Sequence, residues 1–225
     1  MPLNVIINGE QVTVVSKATF LGVIVDNSLT WKYHIEIICN KIAKSIGIIK
    51  KVKYKLNRNT LINLYYTFVY PYLVYCNNVW GNAAKVYINK LLILQKRVLR
   101  TIFNVGYRDS TKELFIAANI MNVYDLYLYS ICMIMFKHHK ELLPITCYKL
   151  FSLRKSIHDC NTRNNRMYHL ALCRTETRKK TIVYTGPYYF NQVLKHCSDE
   201  IRHINSIHMF KKKLKRMIKS GIILS

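Results

Sequence analysis

At 225 residues, 51% of them hydrophobic, the chain can build a substantial core, which excludes disorder as its default state. Lys and Arg number 35 against 11 Asp and Glu, and the resulting +24 exceeds what solubility requires. Such an excess points to a polyanionic partner, nucleic acid first and an anionic membrane surface second.

In chain order, residues 3–8 and 11–15 read as two short strands around the Asn8-Gly9 turn, because Asn-Gly between β-branched residues is the strongest local hairpin signal. A third strand is expected at 20–25. Thr30 is the expected N-cap of a long amphipathic helix. From Trp31 onward its apolar residues Ile35, Ile38, Ile42, Ile46, Ile49 and Val52 fall at spacings of three and four. Lys41, Lys44, Lys51 and Lys55 then lie on or beside its wet face. A second helical block, capped by Asn57 or Asn59, runs through TLINLYYTFVYPYLVYC, where Pro71 should bend or split it. The third begins after Gly81 and ends near Phe103. Lys90, Gln95, Lys96, Arg97 and Arg100 decorate its leucine-rich rod. Helices over 111–119 and about 122–143, closed by Pro144, complete the helical part. Residues 145–186 are polar, irregular and basic, with short strands expected at 166–172 and 180–185. TGPYYFNQVLKHC starts a short helix with Pro187 near its first turn, and SIHMFKKKLKRMIKS reads as a last helix, apolar on one side and lysine-rich on the other.

Charge is distributed as unevenly as its total suggests. Between Glu36 and Asp109 the sequence has no acidic residue, while basic residues recur from Lys41 to Arg108. A face built from them lacks internal neutralisation and repels itself until a counter-charge arrives. Tyr54, Tyr65, Tyr66, Tyr70, Tyr72, Tyr75 and Trp80 lie close to these cations in sequence, a mixture suited to stacking nucleobases, although any single ring is more often core. Seven cysteines, all scattered singly with no CxxC pair, fit a reducing compartment rather than a disulfide framework. MPLNVIINGE lacks the order of a secretion signal, so the expected location is intracellular, in nucleus or cytoplasm.

Residues 59–84 carry no charge and are long enough to raise a membrane span. Asn63, Asn77 and Asn78, Pro71 and several tyrosines dilute that segment, and a Pro-kinked core helix is the preferred reading. Two-metal phosphoryl chemistry needs clustered carboxylates, and the acidic residues here are singletons apart from Asp199-Glu200, which are expected only to balance local lysines. A metal site drawing on His158, Cys160, His169 and Cys173 matches no zinc spacing, so no metal site is expected.

FLGVIVDNSLTWKYHI, followed in order by KIAKSIGIIKKVK, LYYTFVYPYLVYCNNVWG, LLILQKRVLRTIF, HDCNTR and GPYYFN, resembles the C-terminal third of reverse transcriptases from non-LTR retrotransposons of the jockey and chicken-repeat type. The resemblance implies that residues 1–27 form the end of a palm, with Phe20, Leu21 and Gly22 at a primer-grip hairpin. It implies a helical thumb over 31 to about 103, lying against the template–primer duplex, within a thumb-like domain expected at 28–144. Residues 145–225 would be a basic C-terminal region with short helices and a part in RNA or target-DNA binding. In that family the catalytic carboxylates, including a Tyr/Phe-x-Asp-Asp signature, stand upstream of the primer grip, and this sequence begins after them. No catalytic residue is therefore expected, nor any cofactor in this chain, since Mg2+ would bind the missing palm.

The expected fold is mainly α: a helical, thumb-like bundle with a small N-terminal β-hairpin element and an irregular basic C-terminal region. The expected function is that of a truncated RNA-directed DNA polymerase, inactive alone. Its partners would be an RNA/DNA duplex or RNA and the missing palm and fingers, with no small-molecule substrate. Lys41, Lys44, Lys51, Lys55, Lys96, Arg97 and Arg100 are the candidate phosphate contacts. The competing expectation is a membrane-associated helical protein inserted through 59–84.

Overall fold

A computed structural model describes residues 5–156, 167–204, 206–221 and 223. It is mainly helical, with two small antiparallel strand pairs near the N-terminus. The chain divides into two compact units, Met1–Tyr72 with Ala83–Asp109, and Leu73–Asn82 with Ser110–Ser225.

In the first unit β1 (Val5–Ile7) and β2 (Glu10–Val12) pair with Ile7 opposite Glu10. Asn8 and Gly9 both take positive φ, 52° and 84°, the two-residue turn that Asn-Gly encodes. The strand expected at 20–25 is instead split. β3 (Lys17–Phe20) and β4 (Val23–Asp26) form a second hairpin with Phe20 opposite Val23, and Leu21-Gly22 is its turn, at φ 46° and 75°. Gly22 takes its left-handed position at little cost, whereas Leu21 bears a steric penalty of about 1–2 kcal/mol. β1, β2 and β3 are exposed along their length, and only β4 packs on the helix that follows.

That helix, α1 (Lys32–Val52), buries Ile35, Ile38, Ile42, Ile46 and Ile49, as the spacing predicts. Its start differs from expectation. Trp31, not Thr30, is the N-cap, with a left-handed φ of 63° and no side-chain cap, while Thr30 Oγ1 accepts a long 3.4 Å bond from the Lys32 N–H and donates to the Asp26 carboxylate. α2 (Arg58–Phe68) is capped by Asn57, whose Oδ1 accepts from the Thr60 N–H at 2.8 Å. It ends at Phe68 with Val69 as its C-cap, and because Pro71 has no N–H to donate to the ladder, the chain restarts as a separate helix rather than continuing α2. α3 (Tyr70–Val74) and α4 (Asn77–Trp80) follow as short pieces. Residues 59–84 are thus divided among three helices, and no helix among the described residues is long and apolar enough to cross a membrane, which removes the expected alternative of insertion there. α5 (Lys85–Phe103) is the main partner of α1. Gln95, expected on its surface, is fully buried and donates from Nε2 to Tyr65 Oη at 2.8 Å, joining α5 to α2.

In the second unit α6 (Lys112–Ala117) precedes α7 (Val123–His139), which Asn122 caps through Oδ1 to the N–H groups of Tyr124 and Asp125. α4 lies against α7, where Ser130 Oγ donates to Asn77 Oδ1 at 2.8 Å. α8 (Glu176–Lys179), α9 (Ile182–His203) and α10 (Ile207–Lys219) complete the chain, with α9 and α10 packed on α7 around Phe136, Phe151, Tyr168, Phe190 and Phe210. Two expected strands are corrected. Residues 182–185 form the first turn of α9, and of 166–172 the described part contributes one antiparallel bridge, Tyr168 to Leu153. The β-branched TIVYT segment has strand propensity, but packing against α7 decides its conformation. Pro187 accordingly sits inside α9, past its first turn, and the helix is kinked further on at Cys197, where φ is −146°.

Candidate nucleic-acid interface

α1 and α5 run in the same direction. Near their starts the Lys90 ammonium lies close enough to Cys39 to offset part of the burial that pushes that thiol up, and at their ends Lys53 Nζ donates to Asn104 Oδ1 at 2.9 Å. The isoleucine stripe of α1 and Ile88, Leu91, Val98, Leu99 and Ile102 of α5 are buried, so the remaining faces of both helices carry their charges outward.

On α1, Lys44 and Lys51 are exposed and two turns apart on one stripe, about 10 Å along the axis. Exposed Lys41 lies beside them, with Nζ 5.3 Å from the centre of the Tyr72 ring. Lys55 is exposed in the turn after α1. On α5, Arg97 is exposed and Lys96 half-buried. Arg100 is half-buried and turned to the backbone, donating from Nε and Nη2 to the Asp109 carbonyl at 3.1 and 2.9 Å. The structure thus brings Lys41, Lys44 and Lys51 together on one helix and sets Arg97 on its neighbour, while Arg100 serves a loop. Sequence reasoning left out Lys90, which is exposed and two turns before Arg97, and Lys50, exposed on α1. The seven-residue spacing repeated in 44/51 and 90/97 was the available signal.

This unit has only Glu10, Asp26, Glu36 and Asp109 as acids. Asp26 is spent on structure: its carboxylate accepts from the N–H groups of Ser28, Thr30 and Trp31 at 3.2, 3.0 and 2.9 Å and from the Thr30 hydroxyl at 3.1 Å. Burial alone would raise its pKa, and these hydrogen bonds outweigh that and hold it below the usual carboxylate range. Asp109 Oδ2 accepts from the Gly106 N–H at 2.7 Å. Among the described residues both ion pairs, Lys179 with Glu176 and Lys213 with Glu200, belong to the other unit, so none neutralises the cations of α1 and α5.

Phe20, Leu21 and Gly22 form the tip of the β3–β4 hairpin, where Phe20 and Leu21 are 70% and 73% exposed. Of the aromatic set, Tyr65 and Trp80 are fully buried core, Tyr66 and Tyr75 are partly exposed, and Tyr54 stands almost wholly in solvent. No group of three His, Cys, Asp or Glu among the described residues could hold a metal ion. His158 and Cys160, with the rest of HDCNTR, and the Asp199 side chain lie outside the described residues.

No family model matches the chain, and no solved structure matches it. Curated relatives do. The chain is 30% identical over 113 residues, 49% of its length, to the RNA-directed DNA polymerase from mobile element jockey of Drosophila funebris, and 30% identical over 112 residues to that of Drosophila melanogaster. It is 29% identical over 98 residues to the probable RNA-directed DNA polymerase from transposon BS of Drosophila melanogaster. The matched stretch covers 10–12% of these relatives. Over about half its length, this chain is homologous to RNA-directed DNA polymerases of non-LTR mobile elements.

Proposed function

We propose that the α1–α5 pair is a thumb-like duplex grip, in which Lys41, Lys44, Lys51, Lys55, Lys90 and Arg97 contact the phosphates of an RNA/DNA template–primer, Lys96 and Arg100 lie at its margin, and the Phe20-Leu21-Gly22 tip meets the primer strand. The observation that carries this reading is the cationic surface itself: two parallel helices with their basic side chains outward and no acid between Glu36 and Asp109. Like charges held together on a rigid scaffold lose their repulsion when a polyanion replaces condensed counterions. Homology to RNA-directed DNA polymerases supports a template–primer as that polyanion. Polymerisation is not assigned to these residues, because the acids of this unit stand singly and two of them are bound by backbone N–H groups. In a whole polymerase, a palm supplying carboxylates and Mg2+ would be the other partner of the hairpins.

Fluorescence anisotropy of a labelled RNA/DNA duplex, titrated with the chain at a series of KCl concentrations, tests this reading. Affinity is expected to fall steeply and linearly on a log–log plot and to differ little between sequences. Absence of binding at low salt, or binding indifferent to salt, would sink it.

A further inference from the structure

We infer that the end of the first unit where α1 and α5 terminate is a stacking site for unpaired nucleobases, built on Tyr54 and Tyr107. This rests on the chain being a nucleic-acid binder and adds a contact of another kind, to a single strand rather than to duplex phosphates. The two helix ends are tied together: Lys53 donates to Asn104, the C-cap of α5, and Arg58 at the start of α2 lies 4.8 Å over the Phe103 ring. The loop after α5 is fixed too, by the left-handed Asn104, by the two bonds from Arg100 to the Asp109 carbonyl and by the Gly106 N–H on the Asp109 carboxylate.

On this braced end, two tyrosine rings are left in solvent. Tyr54 is 80% exposed and Tyr107 84%, in a chain that buries Tyr65, Tyr127 and Tyr168. Each exposed ring carries a cation on it, Lys53 Nζ at 4.5 Å from the Tyr54 centroid and the Arg100 guanidinium at 5.7 Å from that of Tyr107. A ring with a cation on one face offers the other to a π system. Lys55, Arg58 and Arg108 lie in the same segments and supply charge for the intervening phosphates, while the single carboxylate there, Asp109, is already hydrogen-bonded. The charge selects a polyanion over an apolar partner. The exposed rings select unpaired bases, because bases inside a duplex have both faces covered by their neighbours.

The test uses the full chain, a fluorescein-labelled oligouridine and a blunt RNA/DNA duplex of matched length. Tyr54→Ala and Tyr107→Ala should each weaken oligouridine binding by about tenfold, the loss of one base–aromatic stack. Duplex affinity and the salt slope should stay unchanged, since no cation is removed. Tyr54→Phe and Tyr107→Phe should bind like the wild type, and 2-aminopurine placed in the strand should be quenched by the wild type and not by the double alanine variant. Alanine variants that bind oligouridine normally, that lose duplex and single strand equally, or that the phenylalanine variants mimic, would overturn the stacking site while leaving the duplex grip standing. A wild-type chain that binds neither probe would overturn both.

Discussion

A single carboxylate decides how the N-terminal strands meet the first helix. Asp26 is buried at the end of β4 and gathers three backbone N–H groups and a hydroxyl into the turn that precedes α1. Asp26→Asn replaces a charged acceptor by a group whose amide half cannot accept, and should cost about 1–3 kcal/mol in urea unfolding followed by circular dichroism. Because its folded pKa is depressed, the Asp26 contribution is present above the ordinary carboxylate value near 4 and is lost as pH falls below it. His34 titrates in a different window. Its Nδ1 accepts from the Ile24 N–H at 3.4 Å, and burial first, then the Lys41 charge, holds its pKa below the ordinary value. A neutral histidine in the folded state stabilises fully above about pH 6.5 and loses that contribution as pH falls through it. His139 is lowered in the same sense, by burial and then by Lys140 and His138. Thermal unfolding should therefore shift to lower temperature between about pH 7.5 and 5.5, and His34→Gln should remove part of that shift. A pH-independent melting temperature would contradict the assignment.

At the scale of elements, GPYYFN acquires a structural meaning. Gly186 approaches α7 so closely that a Cβ would lie 2.7 Å from Met135 Sδ, and Phe190 fills the core two residues beyond Tyr188. Asn191 clamps Tyr168, accepting from its N–H at 2.8 Å and donating to its carbonyl at 2.9 Å, which sets the Tyr168 hydroxyl 3.0 Å from His138 Nδ1. Asn191→Ala leaves two buried backbone groups unmade and should cost about 2–4 kcal/mol by urea denaturation. A cost near zero would mean that the clamp adds nothing to the core. The sequence announced α1 and α5 because a single apolar stripe at three-and-four spacing has one interpretation. It could not announce Asn191, whose partner lies 23 residues away and outside any periodic pattern. The same blindness placed the first cap at Thr30, since cap logic inspects adjacent residues and the carboxylate that organises this turn reaches across five. Gln95 was misplaced for a related reason: a polar residue in a basic helix reads as surface until the Tyr65 hydroxyl that it meets is known.

At the scale of the whole molecule, the charge map was legible at once and its division of labour was not. Composition alone located the acid-free interval, but only geometry separates exposed Lys44, Lys51, Lys90 and Arg97 from Arg100, which is committed to a loop. Net charge by itself also attracts polyanions everywhere, and α10, with its exposed Lys211, Lys212, Lys215 and Arg216, is as basic as any segment of the chain. An interface and a diffuse charge cloud differ in how local substitutions act. Paired alanine variants Lys44/Lys51, Lys90/Arg97 and Lys211/Lys212 each remove two positive charges, so a cloud would respond equally to all three. If the duplex lies on α1 and α5, the first two pairs should each lower the slope of log affinity against log salt by about 2, and the third should leave it nearly unchanged. Equal losses from all three would mean that the helices attract nucleic acid through total charge and that no grip exists on them.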